Sequence, residues 1–406
     1  MKITVYAISF NEEKFVRRWM DSMKEADDVV VLDTGSTDGT VALLRECGAF
    51  VDTTTYAKWK TPEEYSRALL DHMANPTRFP KPWRFDWARN DSMRLIPPDT
   101  DICVCTDLDE VLCDGWRAKL EAAWAEAVAQ GRKPTTGTYE YVWNFNADGS
   151  DGSKFTYKKV HAHGACKWTH PVHEVLDYGG AERVEVAIPG MRLEHHADPA
   201  KSREAYLRLL ELSVRECPDD DRNTHYLGRE YVFNGRYGEA LAALKRHLSM
   251  PRAVWKPERA ASMRLIAKCL CDTGKPTEAV DWYYKAMAEA PEQREAAMEL
   301  AQMAHDRASG GDKADAALWW SVCLNAAQRA LSVRQRCYTY LTKDWCWGYK
   351  PWDLLSLAKW NTGDRAGSLE AARNALKAAP NDARLQKNVA VIEEILGIAP
   401  TEKRQL

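Results

Sequence analysis

Apolar and polar positions follow two rhythms along this chain. In the first two hundred residues, short apolar runs alternate with amphipathic stretches of helical period. Residues 3–9 form a β-rich run, and 12–24 place Phe15, Trp19 and Met23 at helical spacing. The pattern then predicts a buried strand at 29–32, a helix at 37–47 and a short strand at 49–52. After an irregular insert at 53–82, it predicts a helix at 87–95 and an apolar strand at 101–106. Strands alternating with helices imply an α/β unit with a Rossmann-like, mostly parallel sheet, whose ligands bind beyond the carboxyl ends of the strands.

From about Lys201 the rhythm is helical only. Residues 265–291 and 354–380 each place a Thr-Gly pair seventeen residues before a proline, Gly274 with Pro291 and Gly363 with Pro380. An earlier copy runs through Gly228, Tyr231, Gly235, Tyr237 and Ala240, and a weaker one through Gly311, Ala316 and Trp320. Gly235 and Gly274 lie 39 residues apart rather than a regular 34, so the array is degenerate. It resembles tetratricopeptide repeats, with a plain helical bundle as the alternative. The expected organisation is an α/β domain at 1–200, a connecting helix at 201–218, an all-α helical repeat domain at 219–396 and a tail at 397–406.

Composition changes this picture little. Of 406 residues, 45% are hydrophobic and 28% charged, ordinary for a globular protein. A net charge of -3 provides no basic footprint for nucleic acid. The eleven cysteines include no C-x2-C pair, so zinc-ribbon spacing is absent, and several sit in apolar patterns as small hydrophobes. No window approaches the roughly 20 apolar residues of a membrane span. The expected setting is a soluble protein in the reducing cytoplasm.

Candidate chemistry gathers at the strand ends. "VVVLDTGSTDGT" around Asp33 carries the Asp-Thr-Gly of an aspartic protease, but such an enzyme needs two carboxylates sharing a proton, and the other Asp-Thr-Gly, at 272–274, falls in the helical half rather than after an apolar strand. Ser36 or Thr37 reads instead as the N-cap of the next helix, with Asp38 in its first turn. "VCTDLDEVL" at 104–112 also fits a haloacid-dehalogenase-type phosphatase, whose lysine and later acidic pair have only weak candidates here.

Taken in order, "ISFNEEKFVRRWMDSM", "VVVLDTGSTDGTVALLRECGAFV", "WARNDSM" and "VCTDLDEVL" resemble the family 2 glycosyltransferases of the GT-A fold. "KWTHPVHEVLDY" and "MRLEHHADPAKSREAYLRLLE" resemble the subgroup with C-terminal tetratricopeptide repeats, which includes sublancin-type peptide S-glycosyltransferases. The resemblance implies a metal-dependent, inverting transfer of a sugar from a nucleotide-diphosphate sugar, UDP- or GDP-linked. Nucleotide-sugar contacts would fall on Ser9, Asn11, Glu12, Asp33, Gly35, Ser36, Arg89, Asn90, Asp107 and Leu108. Asp109, with Asp107 and His195, would bind Mn²⁺ or Mg²⁺, hard ions suited to oxygen ligands.

Six of the ten histidines lie between His161 and His196, without compact zinc spacing. In that region Glu174 is the candidate general base, with His173 as its partner or a phosphate contact. Trp168 is a candidate sugar platform or a core residue, and Arg84 and Asp86 are candidate surface residues. Acceptors left open are peptide, protein, glycan and nucleic acid. A homodimer through the repeats is also open, as is the alternative of a catalytically weak scaffold. The long 53–82 insert is a candidate lid or acceptor wall.

Overall fold

The computed structural model describes residues 1–146, 149–198, 204–310, 313–337 and 342–398. The chain divides into two compact units, Met1–Pro218 and Asp219–Leu406. Among the described residues no helix is long and apolar enough to cross a membrane.

The first unit opens with β1 (Ile3–Ser9), α1 (Glu13–Ser22), β2 (Asp28–Asp33), α2 (Thr40–Glu46) and β3 (Phe50–Thr53). The period-2 alternation of β1 divides its side chains between two cores. Ile3, Val5 and Ala7 join Phe15, Val16, Trp19 and Met23 of the α1 segment, whereas Tyr6 packs with Val30, Cys103, Cys105 and Trp168. The strand is buried on both faces, as an apolar run in a parallel sheet requires.

The 53–82 insert contains a helix, α3 (Pro62–Ala74), capped by Thr61, and is followed by α4 (Phe85–Met93). Next come β4 (Ile102–Cys105), β5 (Glu110–Leu112), α5 (Trp116–Ala129), β6 (Thr136–Val142) and β7 (Lys154–Ala162). The unit ends with β8 (Lys167–Thr169), β9 (Val175–Asp177), β10 (Glu185–His195) and α6 (Glu204–Glu216).

The main sheet runs β3-β2-β1-β4-β7-β6-β10-β5. Its first four strands are parallel, but β7 is antiparallel to β4 and β6, and β5 is antiparallel to β10. The sheet is therefore mixed, with its parallel half where the alternating strand and helix pattern predicts it.

The helix expected from Thr37 begins at Thr40, and tertiary contacts explain the delay. Asp33 Oδ1 accepts from the Gly35 and Ser36 N–H groups, Asn11 Oδ1 from Thr37 N–H, and Glu13 Oε2 from Gly39 N–H. With the N–H groups of Gly35, Ser36, Thr37 and Gly39 held by these side chains, residues 35–39 stay outside the helix.

The second unit comprises α7 (Asp221–Phe233), α8 (Tyr237–Ser249), α9 (Lys256–Asp272), α10 (Pro276–Glu289), α11 (Glu295–Gly310) and α12 (Lys313–Ser332). It continues with α13 (Lys350–Asn361), α14 (Arg365–Ala378) and α15 (Ala383–Ile395). Helices pack in consecutive pairs, α7 on α8, α9 on α10, α11 on α12 and α13 on α14. Gly228 shows why small residues recur: a Cβ there would lie 2.6 Å from Leu244 of the paired helix. Gly274 and Gly363 follow the first helices of their pairs. Gly311 of the weaker copy and most of the 397–406 tail lie outside the described residues.

Candidate active site

Three parallel strands end at one edge, and the acidic motifs follow them. β1 ends at Ser9, β2 at Asp33, and β4 leads through Thr106 into Asp107. Asp33 is 1% exposed and its carboxylate serves its own turn, because Ser9 Oγ and Ser36 Oγ both donate to Oδ2 while Oδ1 takes two backbone N–H groups. Gly35 adopts φ 109°, which a glycine tolerates. Asn11 has φ 54° and receives the Thr37 N–H, while the Glu12 N–H donates to Thr40 Oγ1 at 2.8 Å. Ser9, Asn11, Glu12, Gly35 and Ser36 are thus brought together around Asp33.

Arg89 organises the centre of the site. It projects from α4, is 4% exposed, and donates through Nη2 to Asp107 Oδ1 at 2.9 Å, through Nη1 to Cys105 Sγ at 3.3 Å, and through Nε to Glu174 Oε1. All three guanidinium nitrogens therefore have protein partners. Lys159 of β7 reaches the other oxygen of Asp107 at 2.9 Å and lies 3.4 Å from Glu110 Oε1. Glu110 Oε2 accepts the Asp107 N–H at 2.8 Å, and its Oε1 accepts from the Tyr141 hydroxyl at 2.8 Å.

Charges in this network stabilise one another against burial. Burial opposes the charge of Asp107, but Arg89 and Lys159 hold its carboxyl well below the usual range. Burial likewise opposes the Lys159 ammonium, which Asp107 and Glu110 nevertheless keep well above the ordinary lysine value. Burial raises the Glu110 carboxyl, against the pull of Lys159. The Cys105 thiol is pushed up to about 11 by burial. It therefore behaves as a small buried sulfur group rather than a nucleophile.

Asp109 and His195 form the second element. Pairing of β5 with β10 sets Glu110 opposite His195, and the His196 N–H donates to the Asp109 carbonyl at 2.8 Å. His195 Nε2 consequently lies 3.7 Å from Asp109 Oδ2. The His195 ring stacks on Trp143, centroids 4.6 Å apart, and its Nδ1 lies 3.1 Å from the Trp143 carbonyl. That carbonyl can only accept, so it favours a proton on Nδ1 and leaves the Nε2 lone pair toward Asp109. Burial lowers the affinity of His195 for a second proton, but Asp109 outweighs it and raises the group above the ordinary histidine value. A carboxylate and an imidazole nitrogen converging in this way fit a divalent cation.

The remaining candidates occupy structural positions. Asn90 pairs both ends of its amide with the Trp168 backbone at 2.8 Å, tying α4 to β8. Trp168 is a core residue, 3% exposed, with its Nε1 donating to Tyr6 and Arg89 over its ring at 5.3 Å. The Leu108 side chain is buried in the main core, leaving only its backbone for a ligand. His173 has φ 52°, and its ring meets Tyr206 with centroids 5.9 Å apart. Arg84 and Asp86, candidate surface residues, are instead buried in a two-pronged ion pair at 2.7 and 2.8 Å.

Lys159, Glu110 and Tyr141 belong to the site without having been singled out by any motif. The signal for Lys159 is a lysine inside an alternating strand, on the same face as Tyr157 and His161. Glu110 follows directly on the Asp-Leu-Asp triplet.

Comparison with known proteins agrees with this division. The model of glycosyl transferase family 2 matches residues 4–170, and that of the tetratricopeptide repeat matches 227–294. No curated protein matches the chain. Among solved structures, the MamA protein is 14% identical with a TM-score of 0.33, over 44% of this chain and 83% of that one. The C-terminal part of a repeat-containing protein from Cytophaga hutchinsonii is 11% identical with a TM-score of 0.36, over 48% of this chain and 66% of that one. The chain carries a glycosyl transferase family 2 domain over residues 4–170 and a tetratricopeptide repeat region behind it, over 227–294.

Proposed function

We propose that this protein is a metal-dependent, inverting glycosyltransferase that moves a sugar from a nucleotide-diphosphate donor to an acceptor held with the help of the helical repeats. The observation that carries the reading is the convergence of Asp109 and His195, 3.7 Å apart, beside the Arg89–Asp107–Lys159 network at the ends of parallel strands. Asp109 and His195 would hold Mn²⁺ or Mg²⁺, with Asp107 alongside. When bound, the ion neutralises charge on the departing diphosphate.

The reaction forms a bond from the acceptor atom to the anomeric carbon and breaks the bond from that carbon to the diphosphate oxygen. The acceptor proton passes to a general base, assigned here to Glu174. Arg89 holds Oε1 of Glu174 and Oδ1 of Asp107, so one guanidinium sets the spacing between base and donor site. A thiol acceptor reduces the demand on that base, because a thiolate forms near neutral pH. Asp33 would hold the turn that meets the nucleotide base, and the Ser9 and Ser36 hydroxyls, which donate to its carboxylate, would accept from the base.

A screen of UDP- and GDP-sugars with Mn²⁺, read by mass spectrometry of released diphosphate and modified acceptor, tests this function. Turnover of any donor that is lost in Asp109→Ala supports it; turnover unaffected by that change overturns the metal assignment. The saturated carboxylates of Asp33 and Asp107 favour a second reading, a catalytically weak scaffold acting through its repeats. Absence of a thermal shift with any nucleotide diphosphate and Mn²⁺ would support the scaffold.

A further inference from the structure

A second cluster of ligating side chains lies within the helical unit, apart from the transfer chemistry. Asp221 stands in the first turn of α7, His247 near the end of α8 and Glu258 in the first turn of α9. One ligand atom from each, a carboxylate oxygen of Asp221, a ring nitrogen of His247 and a carboxylate oxygen of Glu258, all fall within 4.8 Å of one another. His247 is fully buried and Glu258 is 4% exposed.

The histidine supplies the independent observation. Its Nε2 is buried without a hydrogen bond, although Glu258 Oε1 is only 3.4 Å away. Its Nδ1 lies 2.9 Å from Ser262 Oγ, and the same hydroxyl lies 2.7 Å from Nδ1 of His225. A hydroxyl has one proton, so it can donate to only one of two neutral rings and must accept from the other. When His247 is the donor to Ser262, its Nε2 is a bare lone pair facing two carboxylates. Three acceptors then converge in a buried space, a mutual repulsion that a cation relieves.

The geometry has the form of a first shell with its supports. A ring whose far nitrogen donates to a fixed hydroxyl is oriented as metal-bound histidines are. Two carboxylates and a neutral imidazole carry a charge of −2, which a divalent ion cancels. Tetrahedral ligation at roughly 2.1 Å puts ligand atoms about 3.4 Å apart, and the His247–Glu258 separation is 3.4 Å. Asp221, half-buried and one turn before His225 on α7, brings a carboxylate oxygen within 4.8 Å of the other two ligand atoms. We propose that Asp221, His247 and Glu258 bind a divalent transition-metal ion, zinc in preference, which ties α7, α8 and α9 together at the start of the repeats. The rival arrangement is a protonated His247 paired with the two carboxylates, and it needs no metal.

The test uses the full-length chain stripped of metal, titrated with Zn²⁺ by calorimetry and with Co²⁺ by visible absorption. A bound Co²⁺ in a tetrahedral site gives characteristic d–d bands. The expected result is one Zn²⁺ site that survives Asp109→Asn but weakens more than about tenfold in Asp221→Asn and in Glu258→Gln, with loss of the Co²⁺ bands. Zn²⁺ should also raise the unfolding temperature of the wild-type chain and fail to raise that of Asp221→Asn. Asp221 is partly exposed, so this variant keeps the test valid if changes at buried Glu258 prevent folding. Binding of no Zn²⁺, or binding abolished by Asp109→Asn and unchanged in Asp221→Asn, overturns the proposal.

Discussion

Arg89 donates to Asp107 across 2.9 Å from beneath the acidic motif, and the same guanidinium holds Glu174. One planar group thus joins a residue of β8–β9 to a residue that follows β4. A lysine carries the charge as a point and cannot serve both carboxylates with that fork. Arg89→Lys should leave the chain folded and lower kcat/KM for sugar transfer by about 100-fold or more, in the range of losing one preorganised electrostatic contact. Steady-state kinetics beside a thermal unfolding curve checks this. Unchanged kinetics would remove Arg89 from the site.

His195→Ala should lower the affinity for Mn²⁺ by at least about tenfold, as the loss of a ligand or its close support does. The Mn²⁺-induced rise in unfolding temperature should shrink accordingly, and donor turnover should need more metal to saturate. A metal titration of activity in both proteins reads this directly. The same half-saturating concentration in both would exclude His195 as a ligand.

Gly228→Ala tests the close packing of α7 on α8. The added Cβ would stand 2.6 Å from both Cγ and Cδ2 of Leu244 in a fully buried site. Overpacking of this kind costs about 1–3 kcal/mol. Equilibrium denaturation should show that loss, and Leu244→Ala in the same chain should recover part of it.

Stability of the repeat unit should depend on pH through Glu299. Burial works against its charge, but Arg264 and Lys343 hold its carboxyl down at about 2. The Arg264 contacts measure 2.6 and 3.1 Å. Because the folded value is depressed, the contribution is fully present above the ordinary carboxylate range and is lost as pH falls from there toward about 2. Glu299→Gln should therefore destabilise the chain at pH 7 by roughly 3 kcal/mol, as breaking a buried pair does. The gap to wild type should close as acid protonates Glu299. Urea unfolding at a series of pH values measures it, and a gap independent of pH would refute the assignment.

Much of the architecture is legible along the chain because it rests on local pattern. The 3–9 apolar run, the Phe15-Trp19-Met23 stripe and the Thr-Gly to proline spacing of the repeats each encode an element through its own period or turn. The acidic triplet at 107–109 likewise reads as a strand end, since an apolar run must stop where charges begin. Local sequence also argues against Asp33 as half of a protease pair, because the other Asp-Thr-Gly, at 272–274, closes the helix α9 and does not follow a strand.

Long-range pairing decided the rest. The α2 start moved from Thr37 to Thr40 because Asn11 and Glu13, more than twenty residues away, take amides that a helix would otherwise leave for its own cap. Arg84 and Asp86 look like surface charges, yet their pair is buried, with the Arg84 guanidinium also donating to Tyr65 and to the distant Glu216. Lys159 met Asp107 only because β7 inserts beside β4, and His195 met Asp109 only because β10 pairs with β5. Periodicity tells a residue which face it shares with its neighbours. It does not tell which strand will lie alongside, and in this site Lys159 and His195 come from such neighbouring strands.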